Sequence, residues 1–277
     1  MKQEPRFKEH EWALVLGASS GFGGAAAIEM ARHGMNVFGV HLDRQATMPA
    51  VQHVIKEIKH AGREAVFYNM NAADAIKRSE TLDDIQERFA GNGHNTIKVL
   101  LHSLAFGTLK PFIAKKSDDA ISQAQMEMTL DVMAHSLVYW TQGLVVRGLM
   151  KRGGRVFALT SSGGHSVLPS YGAVSAAKSA LESHIRQLAM ELGTSGITAN
   201  ALMAGVTDTP ALRKIPGAAR MLEVARAKNP GGRLTTPEDV AKMMVLLCEE
   251  GGAWVSGNVI GVDGGEDVVS FVGQKGE

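Results

Sequence analysis

The chain has 277 residues, 45% of them hydrophobic, and carries 29 basic against 28 acidic side chains. That is apolar material enough for a sizeable core, and the near-balance of charge excludes a global field that would draw nucleic acid or an anionic membrane. The single cysteine, Cys248, can close no internal disulfide and has no companion at ligand spacing, so a reducing compartment is expected and a metal site is not.

The polar start MKQEPRFKEHEW lacks the apolar centre of a signal peptide, and no window is long and uncharged enough to span a bilayer, which leads to the expectation of a cytoplasmic protein. From Trp12 onward, short apolar runs alternate with longer helical ones. Strands are predicted at Trp12–Leu16, Asn36–His41, Ala65–Tyr68, Lys98–His102, Arg155–Thr160, Ile197–Leu202 and Asn258–Val262. Their near-continuous apolar character suits strands covered on both faces. Helices are predicted at Phe22–His33, Val51–His60, Ser79–Phe89, Ser117–Met150 and Ser170–Leu192. Strand and helix in alternation give a doubly wound α/β parallel sheet with right-handed crossovers. No Gly-, Ser- or Pro-rich linker and no repeat divides residues 1–277, so one domain is expected, its core at about residues 11–265.

The segment LGASSGFGG joins the first strand to the first helix. Gly17 permits a tight exit turn, while Gly21 and Gly23 remove side chains where a pyrophosphate must approach backbone and helix N-terminus, with Ser19, Ser20 and Phe22 between them. The end of the second strand, which faces the adenosine ribose in such folds, reads His41-Leu-Asp43-Arg44. An acid there favours free ribose hydroxyls and a base accepts a 2′-phosphate; His41 and Arg44 lean the expectation to NADPH, with NADH as the alternative. Late in the chain, Thr207–Asn229 follows a strand end and holds two prolines and short helical pieces, which marks residues 207–230 as a substrate loop.

In SYGAVSAAKSAL, Tyr171 and Lys178 stand seven residues apart. At about 100° per residue, seven steps return nearly to the same helix face, and both residue types assist hydride chemistry. Ser161 at a strand end can donate a second hydrogen bond to a substrate or make a local turn bond. His102 and His165 are further acid candidates, weighed against a strand-end and a loop role.

Gly17-x3-Gly21-x-Gly23, Asn71 after the third strand, the helix carrying Lys178 and the late Val262-Asp-Gly-Gly265 together resemble the short-chain dehydrogenase/reductase family over residues 11 to 265. The resemblance implies a single Rossmann-type domain of about seven strands with helices on both faces, an NAD(P) cofactor and a homotetramer. It places Asn71, Ala72, Ser103, Leu104, Ala105, Lys178, Gly205, Thr207 and Thr209 at the cofactor and Gly107, Ser161 and Tyr171 at the substrate.

The family's ketoreductase branch carries its tyrosine four residues before the lysine, where this chain has Val174, and an asparagine in the middle helix, aligned here with Met133. Tyr171-x6-Lys178, the segment His102-Ser-Leu-Ala-Phe106 and Asn200-Ala-Leu-Met-Ala-Gly205 with Thr209 are similar to the enoyl-acyl-carrier-protein reductase branch. The glycine spacing and Ser161 are ketoreductase-like, a mixture found in a less common enoyl-reductase type. That resemblance implies NAD(P)H-dependent reduction of a trans-2-enoyl thioester, with Tyr171 donating to the developing enolate and Lys178 holding the nicotinamide ribose. A ketone or 3-oxoacyl reductase and a non-catalytic NAD(P)-sensing protein are the alternatives. Arg213, Lys214, Arg220, Arg226, Lys228 and Arg233, with only Glu223 as an acid among them, suggest docking of an acidic acyl carrier protein.

Overall fold

The computed structural model describes residues 6–270; the first five residues of the polar start and residues 271–277 of the expected domain lie outside the described residues. Seven strands form one parallel sheet in the order β3-β2-β1-β4-β5-β6-β7. They are β1 (Glu11–Leu16), β2 (Asn36–His41), β3 (Ala65–Asn69), β4 (Thr96–His102), β5 (Arg155–Ser161), β6 (Thr198–Ala204) and β7 (Val259–Val262). The helices are α1 (Gly21–Arg32), α2 (Met48–His60), α3 (Ala75–Ala90), α4 (Gln123–Leu130), α5 (Ser136–Val146), α6 (Gly172–Leu192), α7 (Ala218–Lys228) and α8 (Pro237–Cys248).

Side chains of a strand alternate between its faces, and β1 sends Leu14 and Leu16 into one core and Ala13 and Val15 into the other. The first core includes Leu82 and Ile85 of α3, Leu137 and Trp140 of α5, and Leu181 and Ile185 of α6. The second is closed by Ala26 and Met30 of α1, Val54 and Ile58 of α2, and Val240 and Met244 of α8. This is the expected doubly wound arrangement. Strand order reverses between β1 and β4, and the crevice at their C-terminal ends is where such sheets bind ligands.

Three elements differ from the sequence reading. The helix expected over Ser117–Met150 is broken: α4 starts at Gln123 behind a Ser122–Gln125 capping box, and a π-helical turn at Asp131–His135 separates it from α5. Side-chain hydroxyls bonded four residues back accompany the break, Thr129 Oγ1 to the Gln125 carbonyl and Ser136 Oγ to the Val132 carbonyl, both at 2.8 Å. The helix expected from Ser79 begins at Ala75, because the Asp74 carboxylate accepts from the amides of Ile76 and Lys77. Helix α8 is an added element, announced by Pro237 in its first turn and a Thr236–Asp239 capping box. Among the described residues no helix is long and apolar enough to cross a membrane.

Candidate active site

The glycine loop is shaped by close backbone approach. A Cβ added at Gly17 would lie 2.3 Å from the Ser103 carbonyl oxygen, and one at Gly23 would lie 2.1 Å from the Gly17 carbonyl oxygen. Gly17 also adopts φ 90°, the left-handed region that favours glycine. The Ser103 amide donates to the Leu16 carbonyl at 2.9 Å, fixing the end of β4 beside the loop. Ser20, the N-cap of α1, makes no side-chain cap bond, and no acid stands in the first turn. The first amides of α1 therefore point out of the loop with the positive end of the helix dipole behind them, which fits a phosphate.

A cavity of about 190 Å³ opens at the C-terminal ends of the strands. Phe22, Ala105, Gly107, Ser161, Tyr171, Gly205, Thr207 and Thr209, all singled out in the sequence, share its wall. Much of the remaining wall is apolar: Leu109, Met133, Leu168, Val174, Leu212, Ile215 and Met221. Met133 comes from the π-helical turn, a feature that often marks functional sites. Gly107 keeps this wall narrow, since an added Cβ would meet Thr129, Val174 and Met133 at 2.8 to 2.9 Å.

Tyr171 is buried and stands at the N-cap of α6, not inside the helix; Ser170 before it takes φ 60°, a strained angle for a residue with a side chain. The Tyr171 carbonyl accepts from the Ser175 amide at 2.9 Å, so the residue opens the helix that carries Lys178. The phenol belongs to the cavity wall, whereas Lys178 lies behind it, buried, its Nζ donating to the Leu159 carbonyl at 2.6 Å. Burial holds the Tyr171 phenol above its ordinary range, against a smaller opposite influence from the Ser161 hydroxyl. Ser161 Oγ sits in the wall, buried and without a hydrogen-bond partner of good geometry. Burial lowers the Lys178 ammonium to about 8, the Glu182 carboxylate acting in the opposite direction.

Other expectations need correction. The His41 ring, expected to be open at the strand tip, is buried and paired through Nδ1 with Asp43 Oδ2 at 3.1 Å. Arg44 is exposed and has no ion pair among the described residues. Neither lines the cavity, nor do Asn71 and Ala72. Asn71 Oδ1 accepts from the Ala73 amide at 3.0 Å, and the Ala72 carbonyl accepts from Trp140 Nε1 at 2.8 Å. The Thr207 hydroxyl has the Gly205 and Thr235 carbonyls as alternative acceptors, both at 3.0 Å, so its one proton is committed within the protein. His102 is fully buried, bonded to Ser136 Oγ at 2.9 Å and driven to about 3 chiefly by burial, so it is a neutral strand-end group. His165 is a loop residue paired with Asp267 at 3.1 Å.

The expected basic docking surface is reduced by Glu223 within the Ala211–Arg233 window and by Asp208 and Asp239 outside it. Arg213 pairs with Asp208 at 2.7 Å, Arg220 with Glu223 at 2.7 Å and Arg233 with Asp239 at 2.6 Å. Sequence reasoning also missed Glu182, which accepts from Thr160 Oγ1 at 2.6 Å, and Glu266, whose Oε1 accepts from the Val206 amide at 3.2 Å. The position of Glu182 one turn after Lys178 was a usable signal; nothing local pointed to Glu266.

Residues 17–266 match the family described as Enoyl-(Acyl carrier protein) reductase. The chain belongs to this family of short-chain dehydrogenases/reductases, and is an oxidoreductase. It is 30% identical to the Aquifex aeolicus enoyl-[acyl-carrier-protein] reductase [NADH], covering 73% of this chain and 75% of that one. It is equally 30% identical to the Pseudomonas aeruginosa 3-oxoacyl-[acyl-carrier-protein] reductase, over 91% and 96% of the two chains. Among solved structures, an enzyme of the enoyl-reductase type from Candidatus Liberibacter asiaticus superposes with a TM-score of 0.83 at 22% identity, covering 97% of this chain and 99% of that one, which is a likeness of fold.

Proposed function

We propose that the chain reduces the 2,3 double bond of trans-2-enoyl thioesters with a reduced nicotinamide cofactor. The observation that carries this reading is the cavity wall at α6: Tyr171 is its phenol, and Val174, where a ketoreductase acid would stand, contributes only methyl groups. The bound nicotinamide supplies the hydride. Charge then develops on the thioester oxygen, and the Tyr171 hydroxyl, kept protonated by its burial, is the donor for it. Lys178 holds the nicotinamide ribose, and the open amides of α1 receive the pyrophosphate. The apolar wall from Leu109 to Met221 excludes water and suits an acyl chain. Unpaired Arg44 supports NADPH over NADH, since the acid beside it, Asp43, is turned to His41. Lys214, Arg226 and Lys228 remain for an acidic carrier protein.

The ketoreductase reading draws on Ser161, whose free hydroxyl sits in the same wall, and on the 3-oxoacyl relative. Crotonyl and acetoacetyl thioesters, supplied separately with NADPH and NADH while nicotinamide absorbance is followed, separate the two. Oxidation of cofactor by the crotonyl compound is expected; turnover of the acetoacetyl compound alone overturns the proposal. Within it, Tyr171→Phe should lower kcat by about 100-fold or more with little change in cofactor affinity, whereas Lys178→Ala should damage both.

A further inference from the structure

Lys178 is a buried ammonium whose hydrogen-bond acceptor is a neutral carbonyl, that of Leu159 on β5. The next residue of β5, Thr160, donates to Glu182 Oε1 at 2.6 Å. Lys178 and Glu182 are four residues apart on α6 and so share one face. Two consecutive residues at the end of β5 are thus gripped by two consecutive turns of α6, one through an amine and one through a carboxylate. Gly164 lets the following turn close over both: an added Cβ would lie 3.0 Å from Glu182 Oε1 and 3.6 Å from Lys178 Cβ.

We propose that Glu182 is a positioning residue for Lys178, fixing the strand end that holds the amine and supplying the negative charge that keeps the amine cationic. Burial alone disfavours the ammonium, and Glu182 is the group that opposes burial there. The other charged or titratable side chains on elements packed against α6 are Glu127, Asp131, His135, Tyr139, Arg155 and His165, and none of them bears on the Lys178 charge. His102, on β4, is neutral, and on α6 itself His184 is shifted down by burial and by His135. The carboxylate is therefore the counter-charge on which the amine depends.

This inference rests on Lys178 holding the nicotinamide ribose, and its readouts need no acyl substrate, so an incorrect acceptor leaves the test intact. Glu182→Gln keeps an acceptor for Thr160 and removes the charge; Thr160→Val removes the bond and keeps the charge. Reduced-cofactor binding, followed by fluorescence from about pH 6 to about pH 10, is expected to weaken in the wild type as Lys178 deprotonates, by about tenfold per pH unit along the limb. Glu182→Gln should move that limb to lower pH, Glu182→Asp should return it toward the wild-type position, and Thr160→Val, whatever it does to rate, should leave it in place. A limb for Glu182→Gln that coincides with the wild type overturns the proposal. So does a limb moved equally by Thr160→Val, which would reduce Glu182 to a strand anchor.

Thermal unfolding of the cofactor-free protein gives a second readout. With the folded pKa about 8 and the unfolded one about 10.4, the unfolded chain binds more protons between these values, so stability rises with pH across that window. In Glu182→Gln the rise should begin at lower pH. An unchanged onset counts against the proposal even if cofactor binding is lost.

Discussion

The glycine loop and the cavity beside it are built by opposite means. In the loop, backbone packs on backbone: Gly17 meets the Ser103 carbonyl and Gly23 meets the Gly17 carbonyl at distances that leave no space for a methyl group. In the cavity the wall is largely side chain, with Leu212, Ile215 and Met221 from the post-β6 segment joining Met133 and Val174. A surface made by missing side chains tolerates almost no substitution, since dense packing offers nowhere for a new atom to go. A wall made largely of apolar side chains, with Leu212, Ile215 and Met221 half-buried, can change shape by rotamer and by residue. The loop suits a ligand portion that never varies, and the cavity suits one that does.

The largest effect should therefore come from the smallest substitution. Gly23→Ala places a Cβ 2.1 Å from the Gly17 carbonyl oxygen, and neither backbone can move without opening the β1–α1 turn. A loss of about 3 kcal/mol of stability is expected, together with a loss of cofactor affinity of about 100-fold or more. Denaturant unfolding and cofactor fluorescence titration measure the two. Near-wild-type values for both would mean that the loop is pliable and that the contrast between loop and cavity is false.

In the cavity wall, Met221→Ala should cost only about 1 kcal/mol, because Met221 is half-buried and lies outside both cores. It should shift kcat/KM toward longer acyl chains by enlarging the apolar wall. Profiles of enoyl thioesters of increasing length, compared between variant and wild type, test this. Identical profiles would remove α7 from the substrate site and leave the volume of the cavity without an assigned use.

The same contrast explains what the sequence could disclose. The glycine loop was legible because a tight turn between strand and helix needs glycines at nearby positions, and the Tyr171–Lys178 pair with Val174 was legible because its meaning lies in spacing along one segment. Local conformation was not: the residue pattern suggested that Tyr171 sits inside a helix, whereas Ser170 at φ 60° puts it at the N-cap. His41 reads as a ligand group at a strand tip, yet Asp43 turns its ring into a buried pair. The π-helical turn that brings Met133 to the cavity depends on helix packing, and Glu266 reaches the Val206 amide across 60 residues of chain. Such partners come from tertiary contacts that spacing does not encode.

The smallest effect is expected at the surface beside the variable wall. Arg213 and Asp208 form a two-pronged ion pair, Nε to Oδ1 at 2.7 Å and Nη2 to Oδ2 at 2.9 Å, next to the apolar wall. Its geometry is good, but both side chains are largely exposed, and water and salt screen what the pair gains. The segment is also held by the Leu212 amide donating to Thr209 Oγ1 and by Leu212 and Ile215 at the cavity. Arg213→Ala should therefore leave the thermal midpoint within about 1 °C of wild type and the acyl-length profile unchanged. A midpoint lowered by several degrees at low salt and restored at high salt would assign the placement of this wall to surface charge, and the packing account of the variable wall would have to be given up.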